Sequence, residues 1–153
     1  MGVFISYSSI DCDKAKLIKD RFEKNGVLCW KAPESIPTGS NYGFEIPKAI
    51  KSCEAFVLLL SLNAQESAWV PKELDFAISA KKAVFPIKIE ECSLRDDFEF
   101  ALINVQVFDR VIKTGLEPME DIIGEIKTYC DSIEKYIDEM NNEAELIKGM
   151  SRL

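Results

Sequence analysis

The chain has 153 residues, 47% of them hydrophobic, which is one domain of ordinary size with enough apolar surface for a real core and excludes a disordered protein. Its net charge of −7 argues against partners that demand basic patches, so neither nucleic acid nor an anionic membrane surface is expected. Histidine is absent, which rules out Ser–His and Cys–His nucleophile pairs within the chain and zinc sites that use imidazole; no metal is expected.

In chain order, Val3-Phe4-Ile5-Ser6-Tyr7 reads as a first strand that begins almost at Met1, leaving no room for a signal peptide. Ser8-Ser9-Ile10-Asp11 has a capping-box pattern, and residues 11–24 then repeat Ala15, Ile18 and Phe22 at helical spacing until Gly26 closes the helix. Residues 27–30 make a second strand, and 43–52 a short helix. The unbroken apolar run 55–60 is the mark of a central strand covered on both faces. A helix over 68–82 and a fourth strand over 84–89 follow. Residues 93–101 are poorly patterned, a short helix or loop, and 105–108 supply a fifth strand. Acids and Pro118 open a last helix, whose stripe Ile122, Ile126, Cys130, Ile133, Ile137 and Met140 is interrupted at Asn141-Asn142. Residues 1–140 thus form the domain, and 141–153 an extension or linker towards a further domain. No apolar run approaches a membrane span. The five cysteines are odd in number and widely scattered. They fit reduced thiols, mostly buried as small hydrophobes, in a cytoplasmic protein.

Strand–helix alternation of this kind predicts an α/β fold, a flavodoxin-like five-stranded parallel sheet of order 2-1-3-4-5 with helices on both faces. Ligands in such folds gather outside the carboxyl ends of the strands, near the switch between strands one and three. Tyr7-Ser8-Ser9 follows strand one, and Ser61 to Trp69 follows strand three. Next comes Trp69-Val70-Pro71-Lys72-Glu73-Leu74, with Pro71 suited to a first helical turn. Val70, Leu74, Ala77, Ile78 and Lys81 share one stripe, Glu73 lies on its flank, and Trp69 sits one turn earlier on nearly the same bearing. An aromatic plate beside a carboxylate suits a cationic, planar substrate; the plainer alternative is an acid at the edge of a core helix, paired with a neighbouring Lys. A phosphate loop with Gly after strand one, an Asp closing strand three and a GxGxxG motif are all missing.

Together these segments resemble Toll/interleukin-1 receptor (TIR) domains, especially the bacterial NAD-cleaving kind, from Gly2 to the last helix. Val3-Phe4-Ile5-Ser6-Tyr7-Ser8 resembles the family's opening box. Trp30-Lys31-Ala32-Pro33-Glu34-Ser35-Ile36-Pro37-Thr38-Gly39-Ser40 is similar to its long loop after strand two. Ser67-Ala68-Trp69-Val70-Pro71-Lys72-Glu73-Leu74 resembles its W-x-x-x-E segment, and Phe108-Asp109 a weaker aromatic box.

The resemblance implies an NAD+ glycohydrolase or cyclase with Glu73 as the catalytic glutamate. NAD+ is then substrate, with no cofactor, and nicotinamide leaves beside ADP-ribose or a cyclic isomer. Nicotinamide departs neutral and needs no general acid, which suits a chain without His. Positive charge develops on the ribose, where an ionised Glu73 in the first turn of a helix would stabilise it. Substrate contacts are expected from Tyr7, Ser8, Ser9, Pro33, Ile36, Gly39, Tyr42 and Trp69. Where some enzymatic relatives carry basic residues this chain has Ser8 and Ser9, so the N–H groups of Ile10 and Asp11 are left to meet phosphate. The resemblance also implies an assembly-activated immune, anti-phage effector. Its expected partners are other TIR protomers, in a dimer or filament through the 30–42 loop, and a fused or separate sensor domain. The alternative is a non-catalytic TIR–TIR adaptor module, since fold does not dictate catalysis.

Overall fold

The computed structural model describes residues 2–31, 39 and 41–151. Strand β1 (Val3–Ser6) leads through a 3-10 turn (Ser9–Asp11) into α1 (Cys12–Lys24), followed by β2 (Cys29–Trp30) and α2 (Tyr42–Ser52). Then come β3 (Ala55–Leu60), α3 (Leu62–Glu66), α4 (Val70–Ser79), β4 (Ala83–Lys88), α5 (Asp96–Ala101) and α6 (Glu120–Ser151). All strand pairs are parallel, in the order β2-β1-β3-β4.

Alternation along the strands splits the interior into two cores. Val3, Ile5, Ala55, Val57, Leu59 and Ile87 face α1 and α6, meeting Ile18, Phe22, Ile122 and Ile126. Phe4, Phe56, Leu58 and Leu60 face α2, α4 and α5, meeting Ile50, Val70, Leu74 and Phe98. On this second face Trp30, Phe4 and Phe56 stack across three neighbouring strands, with centroid separations of 4.8 and 5.5 Å. Such cross-strand aromatic pairs add roughly 0.5–1.5 kcal/mol each beyond burial and pin the register. All six residues of β3 are buried, as the unbroken apolar run predicts.

Among the described residues the sheet has four strands, and the expected fifth over 105–108 does not form. The reason lies in β4. Ile89 donates its N–H inward to Leu60, whereas the Lys88 carbonyl accepts from Ile112 on the outer side. By strand parity Pro86 also faces outward, and it has no N–H for a fifth strand to use. Pairing survives only as an isolated Lys88–Val111 bridge. Val105 and Phe108 instead spend their apolar character on packing, Phe108 against Phe85 at 6.5 Å.

The capping box is also not realised. The Ser8 hydroxyl accepts from the Ile10 N–H, but the Asp11 carboxylate accepts from Ser61 Oγ at 2.6 Å and Asn63 Nδ2 at 3.2 Å. It thereby ties the start of α1 to α3 instead of reaching back to its own cap. Helix α6 runs on through Asn141-Asn142 without a break. Its last buried residue is Cys130, and Tyr136, Ile137, Met140, Leu146, Ile147 and Met150 are exposed.

Gly2 sits where the sheet is pinched together: its carbonyl accepts from the Glu54 N–H, while the next N–H, of Val3, donates to the Leu28 carbonyl. Its φ is +90°, and a Cβ would stand 2.0 Å from the Leu28 oxygen. Gly2→Ala is therefore expected to lower unfolding stability by roughly 2 kcal/mol or more, read from urea denaturation midpoints.

Candidate functional site

Helix α4 starts from a serine that the motif contains but that sequence pattern left without a role. Ser67 Oγ accepts from the N–H groups of Trp69 at 3.1 Å and Val70 at 3.3 Å, covering two donors the helix cannot satisfy itself. Pro71 follows in the first turn, and the Glu73 N–H closes the first helical bond to the Trp69 carbonyl. Val70, Leu74 and Ala77 are buried as expected, whereas Ile78 is exposed.

Glu73 is not a flanking surface acid. It is 7% exposed, and its Oε1 accepts a 2.8 Å hydrogen bond from the hydroxyl of Ser6, itself buried. Ser6 ends β1 on the same side as Phe4, the side α4 covers. Beside Glu73 lies a cleft of about 200 Å³ between two helices. Trp69, Lys72 and Phe76 of α4 line one wall; Gly43, Ile46, Pro47 and Ile50 of α2 line the other. Trp69 is 48% exposed, and the Lys72 ammonium lies over its ring, 5.5 Å from the centroid. Pro47 sits inside α2 and withholds the N–H that the Gly43 carbonyl would otherwise receive.

The other expected contacts are placed elsewhere. Tyr7 is half-buried on the opposite face, against the α1–α6 core, and its hydroxyl accepts from the ammonium of the fully buried Lys31 at 3.3 Å. Ser8 is buried as a cap and Ser9 is exposed in the 3-10 turn. The N–H groups of Ile10 and Asp11 are both taken by Ser8, so they are not offered to phosphate. Gly39 is exposed at φ +83°, and Tyr42 provides the first residue of α2 after its cap, Asn41. Pro33 and Ile36 lie outside the described residues. The structure thus brings Glu73 and Trp69 together, and adds Ser6, Lys72 and the apolar wall of α2. Strand parity was the available signal for Ser6; nothing local in the sequence announces the α2 wall.

Cys53 and Cys130 are buried, Cys29 and Cys92 half-buried, and Cys12 exposed. Burial pushes the Cys29 thiol up to about 12 and those of Cys53 and Cys130 to about 11, leaving them protonated and inert.

Burial also drives the Glu73 carboxyl up from 4.5 to about 7, with the Ser6 hydrogen bond pulling the other way. The folded protein therefore holds an extra proton between about pH 4.5 and 7. Stability from this group is full below 4.5 and is lost as pH rises through 7. Glu73→Gln removes the charge at nearly constant shape. It should be the more stable protein at pH 8, by on the order of 3 kcal/mol, with the gap closing toward pH 5 in thermal melts.

A family model described as a TIR domain matches residues 3–117. No curated protein sequence matches the chain. Among solved structures, the TIR domain of the Toll-related receptor TRR-2 from Hydra magnipapillata is similar at TM-score 0.66 and 16% identity, over 82% of this chain and 97% of that one. The TIR domains of the activated Roq1 resistosome, which directly recognises the pathogen effector XopQ, give 0.55 and 18%, over 67% and 68%. A metazoan TIR-STING receptor from C. gigas gives 0.56 and 21%, over 76% of this chain but 40% of that one. At these identities the solved structures speak for the fold alone, but the family match spans most of the chain: the protein belongs to the TIR domain family.

Proposed function

We propose that this TIR domain cleaves NAD+ at the nicotinamide–ribose bond, with Glu73 at the reacting centre. The observation that carries the reading is a buried carboxylate on the wall of a cleft, one helical turn from an exposed Trp whose ring already lies under a cation. A pyridinium ring could take the place of the Lys72 ammonium on that ring. As the C1′–N bond breaks, its electron pair goes to the nicotinamide nitrogen, which becomes neutral. The ribose becomes cationic and is met by the Glu73 carboxylate, whose low-dielectric surroundings strengthen the attraction. Water then adds to the ribose and loses a proton to give ADP-ribose, or a nucleophile of the adenine end closes a cyclic isomer. No step requires the missing histidine.

One observation favours the competing reading, a non-catalytic interaction module. The cleft, at about 200 Å³, is below the 300–1,000 Å³ usual for small-molecule sites. It holds one end of a dinucleotide, so the phosphates and adenosine must reach beyond it. Under the catalytic reading this room is supplied by a neighbouring protomer that contacts the 30–42 loop. Self-association has support in the family and in the resistosome among the solved relatives. A defence role, with a fused or separate sensor domain, is proposed on the same footing. Among the described residues no helix is long and apolar enough to cross a membrane.

Incubation with NAD+ and chromatography for nicotinamide tests the chemistry. Glu73→Gln should cut the rate by about 10²–10³ while the protein stays folded. Trp69→Ala should lose more activity than Trp69→Phe, which keeps a stacking face. Near-normal turnover by Glu73→Gln would return the site to the interaction reading.

Assembly is tested separately. Specific activity is expected to rise with protein concentration, more so in high salt, where the net charge of −7 opposes association less. Ile36→Asp should flatten that rise. A concentration-independent rate in both proteins would refute assembly and leave the Glu73 chemistry standing.

A further inference from the structure

We propose that Ser6 is a positioning residue of this site, its hydroxyl holding Oε1 of Glu73 so that Oε2 is the oxygen offered to a cationic ribose. The assignment rests on the NAD+-cleaving reading above. Ser6 and Glu73 are 67 positions apart in sequence, yet their side chains meet at 2.8 Å where both are buried. Ser6 is held by the sheet: it ends β1 in register with Leu58 of β3, so its Cα cannot drift with the helix. Among the described residues Oε2 accepts no hydrogen bond, and it is not one of the buried atoms left without a partner. Glu73 itself lines the cleft, and with Oε1 held by Ser6 the second oxygen is the one left to a guest.

Among the described residues no charged side chain does the same work. Lys72, next to Glu73 on α4, sends its ammonium over the Trp69 ring. The α2 wall of the cleft is Gly43, Ile46, Pro47 and Ile50, none of which titrates. The charged side chains of the packed elements, Glu45, Lys48 and Lys51 of α2, Glu66 of α3 and Lys88 of β4, do not line it. Among the described residues the Ser6 hydroxyl is thus the polar group that answers the carboxylate. Donating to an anion is stronger than bonding to a neutral acid, so Ser6 both orients Glu73 and favours its ionised form.

The test is a ¹³C NMR titration of the Glu73 carboxyl, assigned by its loss in Glu73→Gln, in wild-type, Ser6→Ala and Ser6→Thr proteins. It is run beside pH–rate profiles on NAD+. Ser6→Ala is expected to raise the midpoint by roughly one pH unit and to move the acid limb of the profile up by the same amount. Ser6→Thr, which keeps the hydroxyl, should restore both. Should Ser6→Ala fail to fold, Ser6→Cys, a weaker donor, should shift the midpoint in the same direction by less. A folded Ser6→Ala protein with an unmoved midpoint would overturn the proposal, because a Ser that merely fills space changes stability and not titration. If the midpoint moves but wild-type protein releases no nicotinamide, NAD+ cleavage fails and the hold of Ser6 on the carboxylate stands.

Discussion

Strand β3 is buried on both faces along its whole length, and the division of its side chains between two cores fixes what each neighbouring strand can deliver. Parity is inherited from strand to strand through the parallel register, so Ser6 and Tyr7, adjacent in sequence, are sent to opposite sides. One meets the helix that carries the carboxylate. The other meets Lys31 and the core beneath α1 and α6. The cleft therefore belongs to the α2–α4 side, while the crevice between the ends of β1 and β3 is spanned by Asp11, Ser61 and Asn63. A one-residue slip in β1 would exchange these roles and leave Glu73 facing a tyrosine's position.

Placing a carboxyl in that position is costly, because its charge loses water and gains one hydroxyl in return. The fold holds the group near the balance point between acid and anion, a condition more often met at reacting centres than in structural ion pairs. Ionisation and ligand binding are then linked. A cationic guest would favour the anion, so its arrival near neutral pH would expel a proton into solution. The empty site and the filled site would differ in charge as well as in shape.

Much of the frame was legible from periodicity. The continuous apolar run at 55–60, the Ala15–Ile18–Phe22 stripe and the Val70–Leu74–Ala77 stripe each describe a surface buried against a predictable neighbour. The failures share a cause: they depend on partners far away in sequence. Val105 and Phe108 have strand-like character, but whether they pair depended on a proline nineteen positions earlier than Val105. Asp11 has a capping pattern, but Ser61 and Asn63 compete for its carboxylate and win. Glu73 sits on the flank of its own helix, and only the arrival of α2 and β1 turns that flank into an interior. The Glu–Trp pair was visible because four-residue spacing on a helix is a local fact; the Ser6 hydroxyl could be placed on a face by strand parity, but its meeting with Glu73 depends on a partner 67 positions away.

The two margins of the sheet have a consequence for how copies of the domain can meet. At one margin β2 offers only two residues, Cys29 and Trp30. At the other, β4 turns Pro86 outward and spends the Lys88 carbonyl on Ile112. Among the described residues neither margin presents the uninterrupted row of donors and acceptors that an incoming strand would need to zip onto. Continuous cross-protomer sheets are thereby disfavoured, and polymerisation of the amyloid kind has no ready template. Such margins favour contacts between copies made through helices and loops, which can form and part without rewriting the backbone ladder.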